Sequence, residues 1–426
     1  MNYSFTIALR SLLYRKKQYI SLFLVCLFGV GISLFCLFLV RGMMAALTTK
    51  ARIYYGGDFQ FVGGEGSLSF DAVEPFLEKL DGVFGDDARI SARFDLDARQ
   101  AQLYFEGEEV RQRVIKGVDF TRELPLFSRF NYVAGGVQTM AGSNGILLSK
   151  PLATKLSVSV GDTVTLMLRT AQGYINTVEL TVQGIFKDSS LFGMYTSYMD
   201  IDCLRNAYGA AATYANRICI AMPEEPTEKD AARYQERLSK RFKMFPLVAD
   251  KQLFYDVLDV LSEPTYALIP LNANLQEVQV LINAMRWISS FVIVMLIIII
   301  VAGIGSTYRV LVMKRINEIG IYMAIGMKKT AILALLLLEA LFLLLAGCAS
   351  GIALALLLTR LVSYLNFSFI PAFDIFLTDG SLMPLPHIAT TCNLLAVVIF
   401  CTMIAVMYSV LKSIRIMPVQ ALTVTE

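Results

Sequence analysis

The 426-residue sequence has one histidine, one tryptophan, no Gly-x4-Gly-Lys-Ser/Thr segment, and four long stretches nearly empty of charge. Each shortage excludes something. The histidine is His387, so residues 41–286 contain none, and Ser-His pairs, Cys-His pairs and histidine-bound zinc are excluded there. His387 itself borders an apolar run, where an interfacial role is simpler than a ligand's. Without a phosphate loop the chain has no cradle of that kind for ATP. The residues therefore predict no catalytic group, no metal site and no cofactor bound by this chain. Cysteine is also scarce: five of the seven (Cys26, Cys36, Cys348, Cys392, Cys401) fall in the apolar runs and read as small apolar side chains. Cys203 and Cys219 lie outside them, where a disulfide is open to them but their spacing carries little information.

The charge-free stretches are membrane signals. Residues 18–40, between Lys17 and Arg41, hold 23 uncharged positions. As a helix they reach roughly 34 Å, enough to cross a hydrocarbon core of about 30 Å. That run is too long for the core of a cleaved signal peptide and no Ala-x-Ala site follows closely, so it is expected to be retained. Residues 287–308 form a second run, 330–359 a third with Glu339 as its only charge, and 388–411 a fourth. Four spans put both termini on one side. Positive residues resist translocation, and they cluster before the first span, between the second and third, and in the tail. Those three segments carry 11 basic and 2 acidic residues, against 26 basic and 30 acidic in 41–286. Both termini are thus predicted cytoplasmic and 41–286 outside, a polarity that speaks for membrane orientation and against nucleic-acid binding.

The expected organisation follows. Residues 1–17 form a cytoplasmic amphipathic helix, with Phe5, Leu9, Leu12 and Leu13 on one face. Transmembrane helix 1 covers 18–43, the extracytoplasmic domain 44–280, helix 2 with a projecting outer end 281–308, and a cytoplasmic link 309–329. Helix 3 covers 330–359, an outer loop 360–387, helix 4 388–411, and a cytoplasmic tail 412–426. In the outer domain, strands are expected at 58–62, 100–105, 110–118, 163–168, 177–186 and 217–222. Helices are expected at 71–80, 149–156, 201–207, 228–242 and 252–261, with a turn at Gly161-Asp162. The fold class is α-helical membrane protein with four transmembrane helices plus a large α+β extracytoplasmic domain inserted between helices 1 and 2.

Two features single out the cytoplasmic side. Glu339 is an intramembrane acid that demands a partner; a relay or substrate contact is one reading, and a bond between packed helices or to a neighbouring subunit is the plainer, favoured one. The link RVLVMKRINEIGIYMAIGMKKT, 309–330, repeats apolar residues at Ile316, Ile319, Met323 and Ile325 or Met327, while Gly320 and Gly326 allow close approach. It is too apolar for a solvated loop. An exposed apolar face held between two spans needs a protein partner or the lipid surface to cover it.

The stretch KRINEIGIYMAIGMKK, 314–329, resembles the R-x-E-I-G-I-x-x-A-I-G-A segment of the FtsX-like permease superfamily of ABC transporters, which includes the MacB-type subunits, and LLEAL follows at 337–341. GILLSKPLATKLSVSVGDTV at 145–164, VQGIF at 182–186 and MPVQAL at 417–422 resemble other signatures of the same permeases. The chain is similar above all to the lipoprotein-releasing (LolC/LolE-type) permease subunits. It has no fused ATPase, unlike the MacB type, and a far larger outer domain than the cell-division FtsX type. The resemblance implies a coupling helix, with Ile316, Glu318, Ile319, Gly320, Met323, Ile325 and Gly326 contacting a separate ABC-type ATPase dimer that binds ATP and Mg. It implies a second identical or related permease chain, an inner-membrane location, and an outer domain of two lobes, the inner one about 90–206. If the cargo is a lipoprotein handed to a periplasmic chaperone, its acyl chains would enter near Met43, Met44, Trp287 and Phe291; ordinary contact with membrane lipid is the plainer reading of those four.

Overall fold

The computed structural model describes residue 14 and residues 16–414, apart from 65–67, 86–87, 98–100, 189, 191, 195, 259, 262, 368 and 379. The expected N-terminal amphipathic helix lies almost wholly outside the described residues, as do the tail beyond 414 and its MPVQAL segment. The described residues cluster into two compact units. One, the membrane unit, falls within 1–44, 282–366 and 381–426; the other, the α+β domain, comprises 45–281 and 367–380.

Among the described residues, four helices are long and apolar enough to cross a membrane: Tyr19–Tyr55, Val278–Lys314, Lys329–Ser363 and Ile388–Lys412. They pack through Val30, Leu34, Ile304, Tyr308, Leu336, Leu344, Val398 and Val406. Glycines allow the close approach of the first and third. A Cβ on Gly347 would fall 2.6 Å from the Cβ of Cys26, and one on Gly351 would fall 3.0 Å from Val30. Gly347 and Gly351 are four residues apart on one helix, the small-xxx-small spacing that brings membrane helices together.

Two helices run longer than their apolar runs alone indicated. The first, Lys16–Tyr55, meets no breaker until Gly56 and Gly57, whose φ values of +84° and +146° leave helical space. The second, Gln276–Lys314, runs unbroken from Gln276 through Trp287 into the apolar run.

The domain is built on one mixed sheet. Its strands are β1 (Phe59–Gly64), β2 (Arg89–Asp97), β3 (Gln102–Phe105), β4 (Glu108–Arg111), β5 (Val114–Val118), β6 (Tyr132–Gly135), β7 (Gly145–Ser149), β8 (Thr163–Arg169), β9 (Ile175–Phe186), β10 (Thr196–Asp200), β11 (Arg217–Ala221) and β12 (Thr265–Pro270). Among the described residues their order is β12-β1-β11-β2-β5-β10-β7-β9-β8-β3-β4, with β6 paired to β9. Pairs β5–β10 and β7–β9 are parallel and the other pairs antiparallel. The sheet runs without a break through residues 90–206. The segment expected as an inner lobe supplies every strand from β2 to β10 in chain order, and through β2 it joins β11, β1 and β12.

The run expected at 110–118 is two strands. β4 closes a hairpin with β3 at one end of the sheet, whereas β5 sits in its middle between β2 and β10. Between them, Gln112 turns inward and its Oε1 accepts from the Ser197 hydroxyl at 2.6 Å. The helix at Lys150–Leu156 ends in the left-handed Ser157, and the turn at Gly161 (φ +100°) is held where Asp162 Oδ2 accepts from the Ser159 N–H at 2.7 Å.

Candidate functional site at the link between the second and third membrane helices

The Gln276–Lys314 helix ends at Arg315, whose φ of −101° and ψ of 15° depart from helical values, and a nine-residue helix, Ile316–Ala324, begins. Glu318 lies in its first turn, where a negative charge complements the exposed N–H groups of a helix start. Its other end is a Schellman closure. The Gly326 N–H donates to Met323 O and the Met327 N–H to Tyr322 O, both at 3.0 Å, with Gly326 at φ +92°. A Cβ on Gly326 would meet nothing within 4 Å, so glycine is needed there for its backbone conformation and not for close approach.

The apolar residues of this helix face both ways. Ile319 is only 4% exposed and belongs to the core of the membrane unit; Gly320 is buried beside it, and Met323 and Met327 pack against the same core. Ile316 is half-buried. The outward apolar surface is carried by Ile321, 50% exposed, and Ile325, 80% exposed. Of the residues predicted to form a docking face, Ile325 and Gly326 are outside, whereas Ile319 and Gly320 point inward. Periodicity identified an apolar stripe correctly but could not tell that the membrane helices themselves cover it.

The link is anchored by a cluster that sequence reasoning saw only in part. The Arg315 guanidinium, 4% exposed, donates to Glu339 at 2.5 Å, to the Tyr19 hydroxyl at 3.1 Å and to Glu318 at 3.1 Å. Tyr19 in turn donates to Glu339 at 3.1 Å, and Glu339 is fully buried. Glu339 thus finds its partner within the chain: the residue at the junction of the second membrane helix and the short helix is bonded to the first and third membrane helices. Nearby, the Tyr308 hydroxyl donates to Leu336 O at 2.5 Å. The signal in the sequence was the lone acid of the third span, together with the basic pair Lys314-Arg315 immediately before the short helix.

The four residues proposed to meet acyl chains do not share one environment. Met43 is buried and Met44 half-buried in the first long helix, whereas Trp287 and Phe291 are 77% and 62% exposed on the second.

A second polar cluster lies in the α+β domain, around the C-terminal turn of the first long helix. Arg93, fully buried on β2, donates to the carbonyls of Tyr54 at 2.9 Å and Ile53 at 3.0 Å and pairs with Glu123. A cation on the last carbonyls of a helix is favourably placed against its dipole. Asp95 pairs with Lys116 at 2.5 Å and Arg217 at 3.2 Å. Burial alone would raise the Asp95 carboxyl, but those cations hold it below its ordinary value. Burial pushes the Lys116 ammonium down to about 8 against the attraction of Asp95. Burial likewise pushes the thiols of Cys203 and Cys219 up to about 11 and about 12. Both cysteines are free: Cys203 Sγ reaches Asn144 Oδ1 at 3.4 Å and Cys219 Sγ reaches Tyr55 O at 3.3 Å.

Residues 290–418, which take in the Ile316–Ala324 helix and the last two membrane helices, match the family model described as FtsX-like permease C-terminal. The class is therefore an ABC-transporter permease subunit, a protein of the membrane. Over these residues the chain is similar to the FtsX-like permeases. No curated protein matches it. Among solved structures, the periplasmic region of MacB from Actinobacillus actinomycetemcomitans is similar at a TM-score of 0.33 and 10% identity, over 54% of this chain and 95% of that one.

Proposed function

We propose that this permease couples ATP hydrolysis by a separate ABC-type ATPase dimer to a change of conformation in the α+β domain, and that it extracts lipoproteins from the inner membrane for delivery to a periplasmic chaperone. In this reading both termini are cytoplasmic, the domain is periplasmic, a second identical or related permease chain completes the complex, and ATP and Mg are bound by the ATPase. The observation that carries it is the Ile316–Ala324 helix, which exposes Ile321 and Ile325 while Arg315 ties its start to Glu339 and Tyr19. A force applied to such a helix passes into three membrane helices at once. Trp287 and Phe291, exposed on the second helix, are where acyl chains would enter.

Two other readings use the same motion: an efflux substrate handed to an adaptor, or no cargo at all, with the domain operating a periplasmic partner such as a wall hydrolase. Purification of the complex from its native membrane separates them by what accompanies the chain. In the same preparation, Ile321→Asp with Ile325→Asp should release the ATPase while the domain stays folded, because both side chains face outward. Retention of the ATPase by this variant would refute the coupling role of the helix.

A further inference from the structure

A concavity of about 270 Å³ in the α+β domain is lined by four arginines from separate parts of the chain: Arg52, Arg89, Arg122 and Arg129. Arg52 lies in the last turn of the first long helix, Arg89 opens β2, Arg122 lies in the first turn of the Phe120–Phe127 helix and Arg129 just beyond its end. Three acids at or beside the lining are already engaged. Asp58 receives Arg52 at 2.6 Å and the Met222 N–H at 2.9 Å. Glu123, the single acid in the lining, accepts from Ser91 at 2.8 Å and pairs with the buried Arg93. Asp119 accepts from the N–H groups of Thr121 and Arg122 at 3.0 and 3.2 Å, and its Oδ2 lies 3.6 Å from the Arg122 Nε. Arg89 and Arg129 make no ion pair among the described residues, and the Arg52 Nε is buried without a hydrogen-bond partner.

Guanidinium groups gathered around one basin repel each other, and an anion with several acceptor oxygens relieves that repulsion while meeting their forked donors. Arg122 is set in place for this, because its Nη1 donates to Ile90 O at 3.0 Å. Apart from Ser91, which is bonded to Glu123, the rest of the lining is apolar, with Leu126, Met222 and Pro223 offering a wall to whatever carries the charge. We propose that this basin binds a phosphoryl group carried by a small organophosphate or by a lipid headgroup. The site is independent of the ATPase and of the cargo.

The test uses the full chain in nanodiscs, with glycerol 3-phosphate as the soluble probe and phosphatidylglycerol against phosphatidylcholine as the lipid probes. Wild type should bind one of them saturably, read by calorimetry for the soluble probe and by retained lipid for the other. Binding of the soluble probe identifies the organophosphate source; preferential retention of phosphatidylglycerol identifies the headgroup. Replacing Arg89→Gln with Arg129→Gln, both exposed and hence tolerated by the fold, should weaken that binding at least about tenfold, and Arg89→Lys with Arg129→Lys should restore part of it. Binding of neither probe, or equal binding by the glutamine variant, would overturn the proposal.

Discussion

At the scale of single residues, the Arg315–Glu339 pair is the arrangement on which most else depends. Removing one partner of a buried ion pair leaves the other charge uncompensated, at a cost of about 3–5 kcal/mol, whereas replacing both by apolar groups is often close to neutral. E339Q should therefore lower the thermal unfolding midpoint of the membrane unit in detergent, and Arg315→Met with Glu339→Leu should recover most of the loss. A double variant as unstable as E339Q would show that the pair contributes more than mutual neutralisation. The α+β domain has its own titrating residue. Because the folded-state pKa of Asp95 is depressed, its contribution to stability is present above its ordinary value, near about 4, and is lost as pH falls through the lower folded value. Asp58 and Asp188, raised by burial, act in the opposite sense. Denaturation of wild type and Asp95→Asn should differ most at neutral pH and converge in acid; a gap independent of pH would exclude this role for Asp95. Glu339 was legible in the sequence as a charge needing a partner. Arg315 was not legible as that partner, because in the sequence it is one of five basic residues between the second and third spans.

At the scale of elements, alternation marked strands with one covered face, whereas β1, buried at every position, was expected from its β-rich residues. β8 alternates in burial along its length, and the sequence placed it within a residue. β7 and β10 are buried at every position, and buried strands do not alternate, so their apolar runs carry no period of two. β2 was hidden by Arg93 and Asp95, charges that suggest surface but are met by other charges inside the domain. The membrane helices were the easiest elements to find, yet their packing was not, because Gly347 and Gly351 read as unremarkable in an apolar run. Gly347→Val would drive side-chain atoms into Cys26 of the first helix, at a cost of about 1–3 kcal/mol. Gly303→Ala, where a Cβ meets Val25 at an ordinary 3.4 Å, serves as the control. Thermal unfolding in detergent should separate the two variants; equal midpoints would mean that the first and third helices do not rely on this contact.

At the scale of the molecule, a short helix joins two membrane helices at one point, and a twelve-stranded domain lies between the first and second membrane helices in sequence. The proposed topology puts these on opposite sides of the membrane. Ala141 and Lys328 are both exposed, whereas Ser143 is half-buried and hydrogen-bonded, so Ala141→Cys and Lys328→Cys are the suitable probes. A membrane-impermeant thiol reagent applied to intact cells should label the first and spare the second until the membrane is opened; the reverse pattern would invert the assignment. Most direct is a crosslink from the link itself. Ile325→Cys, carrying a short photoreactive group in native membranes, should capture a nucleotide-binding ATPase chain, identified by mass spectrometry, and capture should fall when Ile321→Asp is added. Labelling of lipid alone, with no ATPase captured, would contradict the account.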